Sequence, residues 1–125
     1  MTNRTYSTDA RAWVEVDLGA LVRNARALAE QARKPIIPMI KADAYGLGAV
    51  AVARALETVE PLAYGVSSIP EAVELRQAGI DRPIILFTPS MLQSPDPDWI
   101  PSDSLLMQRH HVTPTLARAE EIVAW

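Results

Sequence analysis

Ile36-Ile37-Pro38-Met39-Ile40-Lys41-Ala42-Asp43-Ala44-Tyr45-Gly46-Leu47-Gly48 carries the most information in this chain. The apolar run from Ile36 to Ile40 predicts a strand buried on both faces of a parallel sheet. Pro38 has no N–H to give to a ladder, which places it near the strand's start. Lys41 then falls at the C-terminal end of the strand, just before a glycine-containing loop. In parallel α/β sheets and barrels that end is where sites are built. A buried ammonium is disfavoured by desolvation, so its pKa falls, and the free amine can form a Schiff base with a carbonyl compound. From spacing alone the more ordinary reading is a lysine that snorkels to the rim or pairs with Asp43. Gly46-Leu47-Gly48 does not decide between them: it lacks the third glycine of a dinucleotide loop and the Gly-Lys-Ser/Thr of a P-loop. Of the twelve basic residues ten are arginine, and only Lys34 and Lys41 are lysine, so a lysine in an apolar run calls for a reason.

Working outward, Trp13-Val14-Glu15-Val16-Asp17 alternates apolar and polar and predicts a short strand. Asp17 can N-cap a helix over roughly 18–33, whose stripe is Leu18, Leu21, Val22, Ala25, Leu28, Ala29 and Ala32. Lys34-Pro35 ends it. Beyond the glycines, Ala49 to Val59 predicts a second helix and Leu62 to Val66 a strand. Ser68-Ile69-Pro70-Glu71 opens another helix, with Ser as cap, Pro in the first turn and Glu three residues on; Gly79 stops it. Pro83 to Phe87 is the next buried strand. Residues 89–101 hold four of the ten prolines and read as a surface loop. Ser104 to Met107 is expected to be a weaker strand, and Thr113-Pro114 to open a last helix through Leu116, Ala119, Ile122 and Val123. Strands alternating with helices predict a parallel sheet. The chain is too short for an eight-fold barrel of ~250 residues. It stops at Trp125 inside an amphipathic helix with no capping signal, as part of a larger unit would.

Composition narrows the classes. With 125 residues, 49% hydrophobic and 22% charged, the chain is a globular domain rather than a disordered tail. No apolar run approaches the ~20 residues that span a bilayer. Met1 to Ser7 has no apolar region of the kind a signal peptide needs. Cysteine is absent, which excludes disulfides, thiol nucleophiles and Cys-type zinc sites. A net charge of -3 with both signs interspersed favours neither nucleic acid nor an anionic membrane. The expectation is a cytoplasmic domain with a small-molecule substrate and no metal: the tandem His110 and His111 point different ways, as loop or strand-end residues. Trp13, Trp99 and Trp125 show no stacking pattern. Glu71 and Glu74, with Arg76 nearby, read as a solvated helix face.

Lys-Ala-Asp-Ala-Tyr-Gly at 41–46 resembles the pyridoxal-phosphate attachment motif of bacterial alanine racemases. Its surroundings agree: Glu15-Val16-Asp17-Leu18 with Ala20-Leu21 and Asn24 is similar to the family's opening segment. Ala63-Tyr64-Gly65-Val66, Glu71-Ala72, Leu75-Arg76, Gly79-Ile80 and Pro83-Ile84-Ile85-Leu86 are similar to the units that follow. The resemblance covers residues 12–125 and only the first third of a typical member. It implies a pyridoxal 5'-phosphate enzyme that interconverts L- and D-alanine, the latter a peptidoglycan precursor. Lys41 would hold the cofactor as an internal aldimine and, once released, serve as one of two bases. Tyr45 matches the tyrosine beside the cofactor, although an ordinary loop tyrosine is as good a reading of the residue itself. Leu47 stands where most members have histidine, and Pro38 where alanine is common. The family's second base is a tyrosine from the partner subunit's C-terminal β-domain, and Tyr6, Tyr45 and Tyr64 do not match it.

The expected fold is therefore α/β, with parallel (β/α) units forming the N-terminal part of a TIM-type (β/α)8 barrel and holding about four strands. Residues 1–11 would be a tail and 12–125 the partial barrel, without the C-terminal β-domain. An incomplete barrel leaves strand edges and part of its inner face uncovered, which predicts self-association, with a homodimer as the expected state. Efficient racemisation by this polypeptide alone is not expected. The alternatives are a non-catalytic cofactor-binding or truncated module and a related amino-acid racemase of the same fold.

Overall fold

The computed structural model describes residues 12, 14–88 and 102–117. Helix α1, Leu18–Ala32, starts where Asp17 accepts the Ala20 N–H on its carboxylate at 2.8 Å, and ends at a left-handed Arg33, one residue before Lys34-Pro35. Helix α3, Ala49–Leu56, runs into a single 3-10 turn, Glu57–Val59, and α1 packs against both. Strand β1, Tyr64–Val66, leads into α4, Ile69–Gln77, through the predicted capping box: Ser68 accepts from Glu71 N–H while the Glu71 carboxylate accepts from Ser68 N–H. Strands β2, Ile84–Leu86, and β3, Val112–Pro114, complete a parallel sheet in the order β1-β2-β3. Tyr64 lies beside Ile84, and Ile84 beside Val112.

The 36–40 segment is a fourth parallel pass, reduced to one bridge, Met39 to Gly65. Gly65 N–H donates to Pro38 O and Ile40 N–H to Gly65 O, both at 2.9 Å. In this alternation residues 38 and 40 are the ones whose N–H groups face β1. Pro38 therefore sits at a donor position and leaves one rung open; beyond it Leu62 N–H donates to Ile36 O at 2.9 Å, outside any regular ladder. Pro114 is tolerated in β3 for the complementary reason. Thr115 N–H donates to Leu86 O, so position 114 faces away from β2.

Burial divides the sheet into two faces. Ile40, Tyr64, Val66, Ile84, Leu86 and Val112 lie under the helices and form the core with Val52, Ala53, Leu56, Ala72, Leu75 and Met107. The other face is partly bare: Ile37 is 36% exposed and Phe87 46%. Gly65 on that face is required by close approach, because a Cβ there would collide with the Met39 sulfur and meet the Phe87 ring at 3.0 Å. Parallel (β/α) units with helices outside and an uncovered inner face are what an incomplete barrel presents, with four passes as expected.

Three expectations are corrected. Val14 to Asp17 form no strand: Val14 is exposed, and the sheet of the described residues does not extend to this segment; Trp13 lies outside the described residues. Ser104 to Met107 belong to a helix, α5, Ser102–Arg109. Ser104 and Met107, three apart, are its buried positions, while Leu105 and Leu106 face outward. Helical spacing, rather than the apolar run, describes this segment. Thr113-Pro114 is the end of β3 rather than a helix start, and Leu116 and Ala117 are not helical. The tail over 1–11, the loop over 89–101, Trp99, Trp125 and the last helix beyond 117 lie outside the described residues. Among the described residues, no helix is long and apolar enough to cross a membrane.

Arg76 is not part of a solvated face. Its guanidinium donates to the carbonyls of Ile80, Arg82, His110 and His111, joining the end of α4 to the approach to β2 and to the turn between α5 and β3. The two histidines contribute backbone oxygens to this clasp and stand at the start of β3, as a strand-end reading expects.

Candidate functional site

The strand ends converge where Lys41 follows Ile40, Ser67 follows β1 and Thr88 lies just beyond β2. Thr88 donates its hydroxyl to Ser67 O at 2.7 Å, tying two of those ends together. The loop expected after Lys41 is an ordered turn, α2, Lys41–Gly46. Inside it Ala42, Asp43, Ala44 and Tyr45 all have φ between 50 and 56°, a full left-handed turn made of non-glycine residues, and Gly46 continues with φ +83°. Each L-residue in that conformation costs about 1–2 kcal/mol, so this turn stores strain of order 4–8 kcal/mol. Strain of this kind persists only where surroundings over-determine it, and it clusters at functional sites.

The surroundings are explicit. Ala44 N–H donates to Ile40 O at 2.9 Å, Leu47 N–H to Ala44 O at 3.2 Å, and Gly48 N–H to Asp43 O at 2.9 Å. The Asp43 carboxylate accepts from Ala49 N–H at 2.6 Å, which caps the start of α3. Asp43 is thereby committed to a helix rather than to Lys41. The buried Ala44 methyl anchors the turn in the core.

A residue that sequence reasoning placed on a solvated face closes the set. Glu71 accepts from Ala42 N–H at 2.8 Å through one carboxylate oxygen, and from Ser67 N–H at 2.8 Å and Ser68 N–H at 3.2 Å through the other. Burial pushes its pKa up, but the hydrogen bonds from Ser67, Ala42 and Ser68 outweigh it and hold the carboxyl below its usual value. The capping-box signal was readable in the sequence; the bond to Ala42, made across the strand ends, was not.

Because Ala42 is exposed and left-handed, exchange for glycine should run against the usual rule. Ala42→Gly removes about 1–2 kcal/mol of strain and adds about 0.4–1 kcal/mol of unfolded-chain entropy, while keeping the N–H that Glu71 binds. The expected result is a slightly raised melting temperature; a clear drop would show that the turn is not left-handed in solution.

Lys41 is half-buried rather than buried. Its amine stands 6.0 Å from the centroid of the Tyr45 ring, at the outer limit of a cation–π contact. Among the described residues no carboxylate lies within ion-pair distance of it. Tyr45 is 63% exposed, more open than a half-buried loop tyrosine. Chemically this is a primary amine with no counter-ion among the described residues, near an aromatic ring at the open end of a parallel sheet. Tyr64 is a different kind of tyrosine: fully buried, its hydroxyl lies within hydrogen-bond distance of Ala53 O and the Glu57 carboxylate, and burial together with Glu57 drives its pKa well up.

The family model described as alanine racemase, N-terminal domain, matches residues 16–125. An alanine racemase of Nostoc sp. is 41% identical over 90 residues, covering 67% of this chain and 23% of that protein. The crystal structure of alanine racemase from E. faecalis superposes with a TM-score of 0.73 at 25% identity, covering 87% of this chain and 28% of that one. That of the Bartonella henselae enzyme, with covalently bound pyridoxal phosphate, gives 0.65 at 27% identity over 79% of this chain and 27% of the other. The chain thus spans less than a third of the length of these relatives. By the family match and by shared architecture, it belongs to the alanine racemase N-terminal domain family.

Proposed function

We propose that this chain is the cofactor-attachment portion of a pyridoxal-phosphate-dependent alanine racemase, with Lys41 as the attachment residue and Tyr45 beside the cofactor. The observation that carries the reading is the Lys41 amine, without a carboxylate partner among the described residues, at the head of a strained turn held by Glu71 and Asp43 at the mouth of the partial barrel. The donor set fits the group: a primary amine for its aldehyde and an exposed aromatic ring beside it. When bound, pyridoxal phosphate supplies an electron sink that lets an amino acid lose its α-proton. Lys41 Nζ would hold the group and, when free, would take and return that proton at one face of Cα. Racemisation needs a second proton carrier on the opposite face. Tyr45 lies on the side of Lys41, and the hydroxyl of Tyr64 is sealed in the core, so neither serves. The second carrier would come from a partner subunit, with a homodimer as the working assembly. The partial barrel over 12–125 is the unit that bears this chemistry, acting in the cytoplasm on alanine and supplying D-alanine for peptidoglycan.

The uncovered Ile37 and Phe87 favour one alternative, a module that binds the cofactor without turnover. Titration of the chain with pyridoxal phosphate, followed by borohydride reduction and peptide mapping, tests the shared part of both readings. The expected result is a saturable absorbance band with the reduced label on Lys41. Label spread over Lys34 and the amino terminus would overturn the assignment, and a racemase assay separates enzyme from module.

A further inference from the structure

We propose that Glu71 is the positioning residue of the Lys41 site. Its carboxylate, through Ala42 N–H, holds the left-handed turn in the register that aims the Lys41 amine, although it touches neither the amine nor the cofactor. The proposal rests on the reading of Lys41 as the attachment residue.

Geometry supports it in three ways. Ala42 is the residue directly after Lys41 and the first of the left-handed run, so its N–H orientation fixes the direction in which the turn departs from the strand. The partner is 29 residues away on a different unit, so the bond ties the strand end that carries Lys41 to the end of β1 and the start of α4. The two oxygens are divided between these tasks: Oε1 takes Ala42, and Oε2 takes the Ser67 and Ser68 N–H groups. All these backbone partners are donors, so only a group that accepts at both ends satisfies them. A carboxylate does; an amide has one accepting end. In Glu71→Gln the oxygen can keep the Ser67 and Ser68 donors, while its NH2 then faces the Ala42 N–H and the turn is released. Attachment itself joins the lysine nitrogen to the aldehyde carbon and expels the aldehyde oxygen as water. That step needs the amine aimed along one approach, and the held turn provides the aim.

The test compares Glu71→Gln with Ser68→Ala in the full chain. Ser68→Ala weakens the α4 cap and leaves Ala42 held, so it reports the cost of a merely structural loss. Two readouts are taken: amide hydrogen exchange over residues 41–48, and the rate of borohydride-fixed pyridoxal phosphate labelling at Lys41. Glu71→Gln is expected to speed exchange in that segment at least tenfold and to slow labelling about tenfold, with label shifting toward Lys34. Ser68→Ala is expected to leave both near the parent values at a comparable drop in melting temperature. Parent-like exchange in Glu71→Gln, or equal effects in the two variants, overturns the proposal. If the parent chain fails to label Lys41, the reading of that lysine falls, while the exchange comparison still decides whether Glu71 holds the turn.

Discussion

Arg76→Ala is expected to lower the unfolding free energy by about 3–5 kcal/mol, less than the sum of four hydrogen bonds to a charged group at about 1.5–3 kcal/mol each, because the carbonyls that reach solvent recover water as a partner. The guanidinium serves four carbonyls, those of Ile80, Arg82, His110 and His111, drawn from two stretches of chain. Burial draws its pKa below the usual arginine value while Asp81 pulls it back, so the carbonyls stand in for water that the group has lost. Removing the side chain leaves four oxygens to recruit solvent at a seam between α4 and α5, and only the exposed ones can do so readily. Arg76→Lys should recover less than half of the loss, because one ammonium cannot reproduce a planar fork of donors. A domain of this size holds roughly 5–15 kcal/mol in all, so the alanine variant should be substantially unfolded at mild urea concentrations. Urea titration followed by circular dichroism measures it. A loss below about 1 kcal/mol, the range of an exposed substitution, would mean that the clasp is not formed in solution.

The same residue shows what sequence reasoning could reach. Arg76 on a helix of mixed charge looks solvated, because its acceptors lie 4 to 35 residues away and none is a side chain. Signals that act within one turn were readable. Asp17 before α1, the Ser68–Glu71 box before α4 and Lys34-Pro35 after α1 each satisfy a local backbone need, and each element begins or ends there. Strands depend on neighbours and were less readable. Alternation at Val14 to Asp17 joins no strand among the described residues, and Leu105-Leu106 are apolar residues on an outward helix face. The two prolines make the point sharply: Pro38 and Pro114 are identical locally, yet one removes a ladder donor and the other faces an open edge.

At the candidate site, the motif at 41–46 singled out Lys41 and Tyr45 for attention, but its conformation could not be foreseen. Ala42, Ala44 and Tyr45 avoid the left-handed region, and only Asp43 belongs to a type that tolerates it. The strain is imposed from outside the turn, by Glu71, by the cap that Asp43 gives α3 and by the burial of Ala44. A stretch that breaks local preference yet is held by partners on two other elements fits the pattern in which departures from propensity concentrate at functional sites.

Lys41→Ala is expected to abolish the saturable pyridoxal phosphate band and to leave total borohydride-fixed labelling at the unspecific level of Lys34 and the amino terminus, since alanine has no amine to form the Schiff base. Stability should hardly move. Lys41 is half-buried, has no ion pair to lose, and lies outside the left-handed run, so a change within about 0.5 kcal/mol is expected. Lys41→Arg should fail equally, although it keeps the charge, because a guanidinium stays protonated and offers no free amine. Lys34→Ala is the control: Lys34 is exposed at the end of α1 and its loss should leave the band intact. Exchange of the alanine α-hydrogen in deuterated water, read by NMR, extends the test from attachment to proton transfer, and both Lys41 variants should fall to the rate of free cofactor. Retention of half the labelling in Lys41→Ala would make Lys41 an ordinary rim lysine. The strained turn would then have been built for something other than the amine it presents.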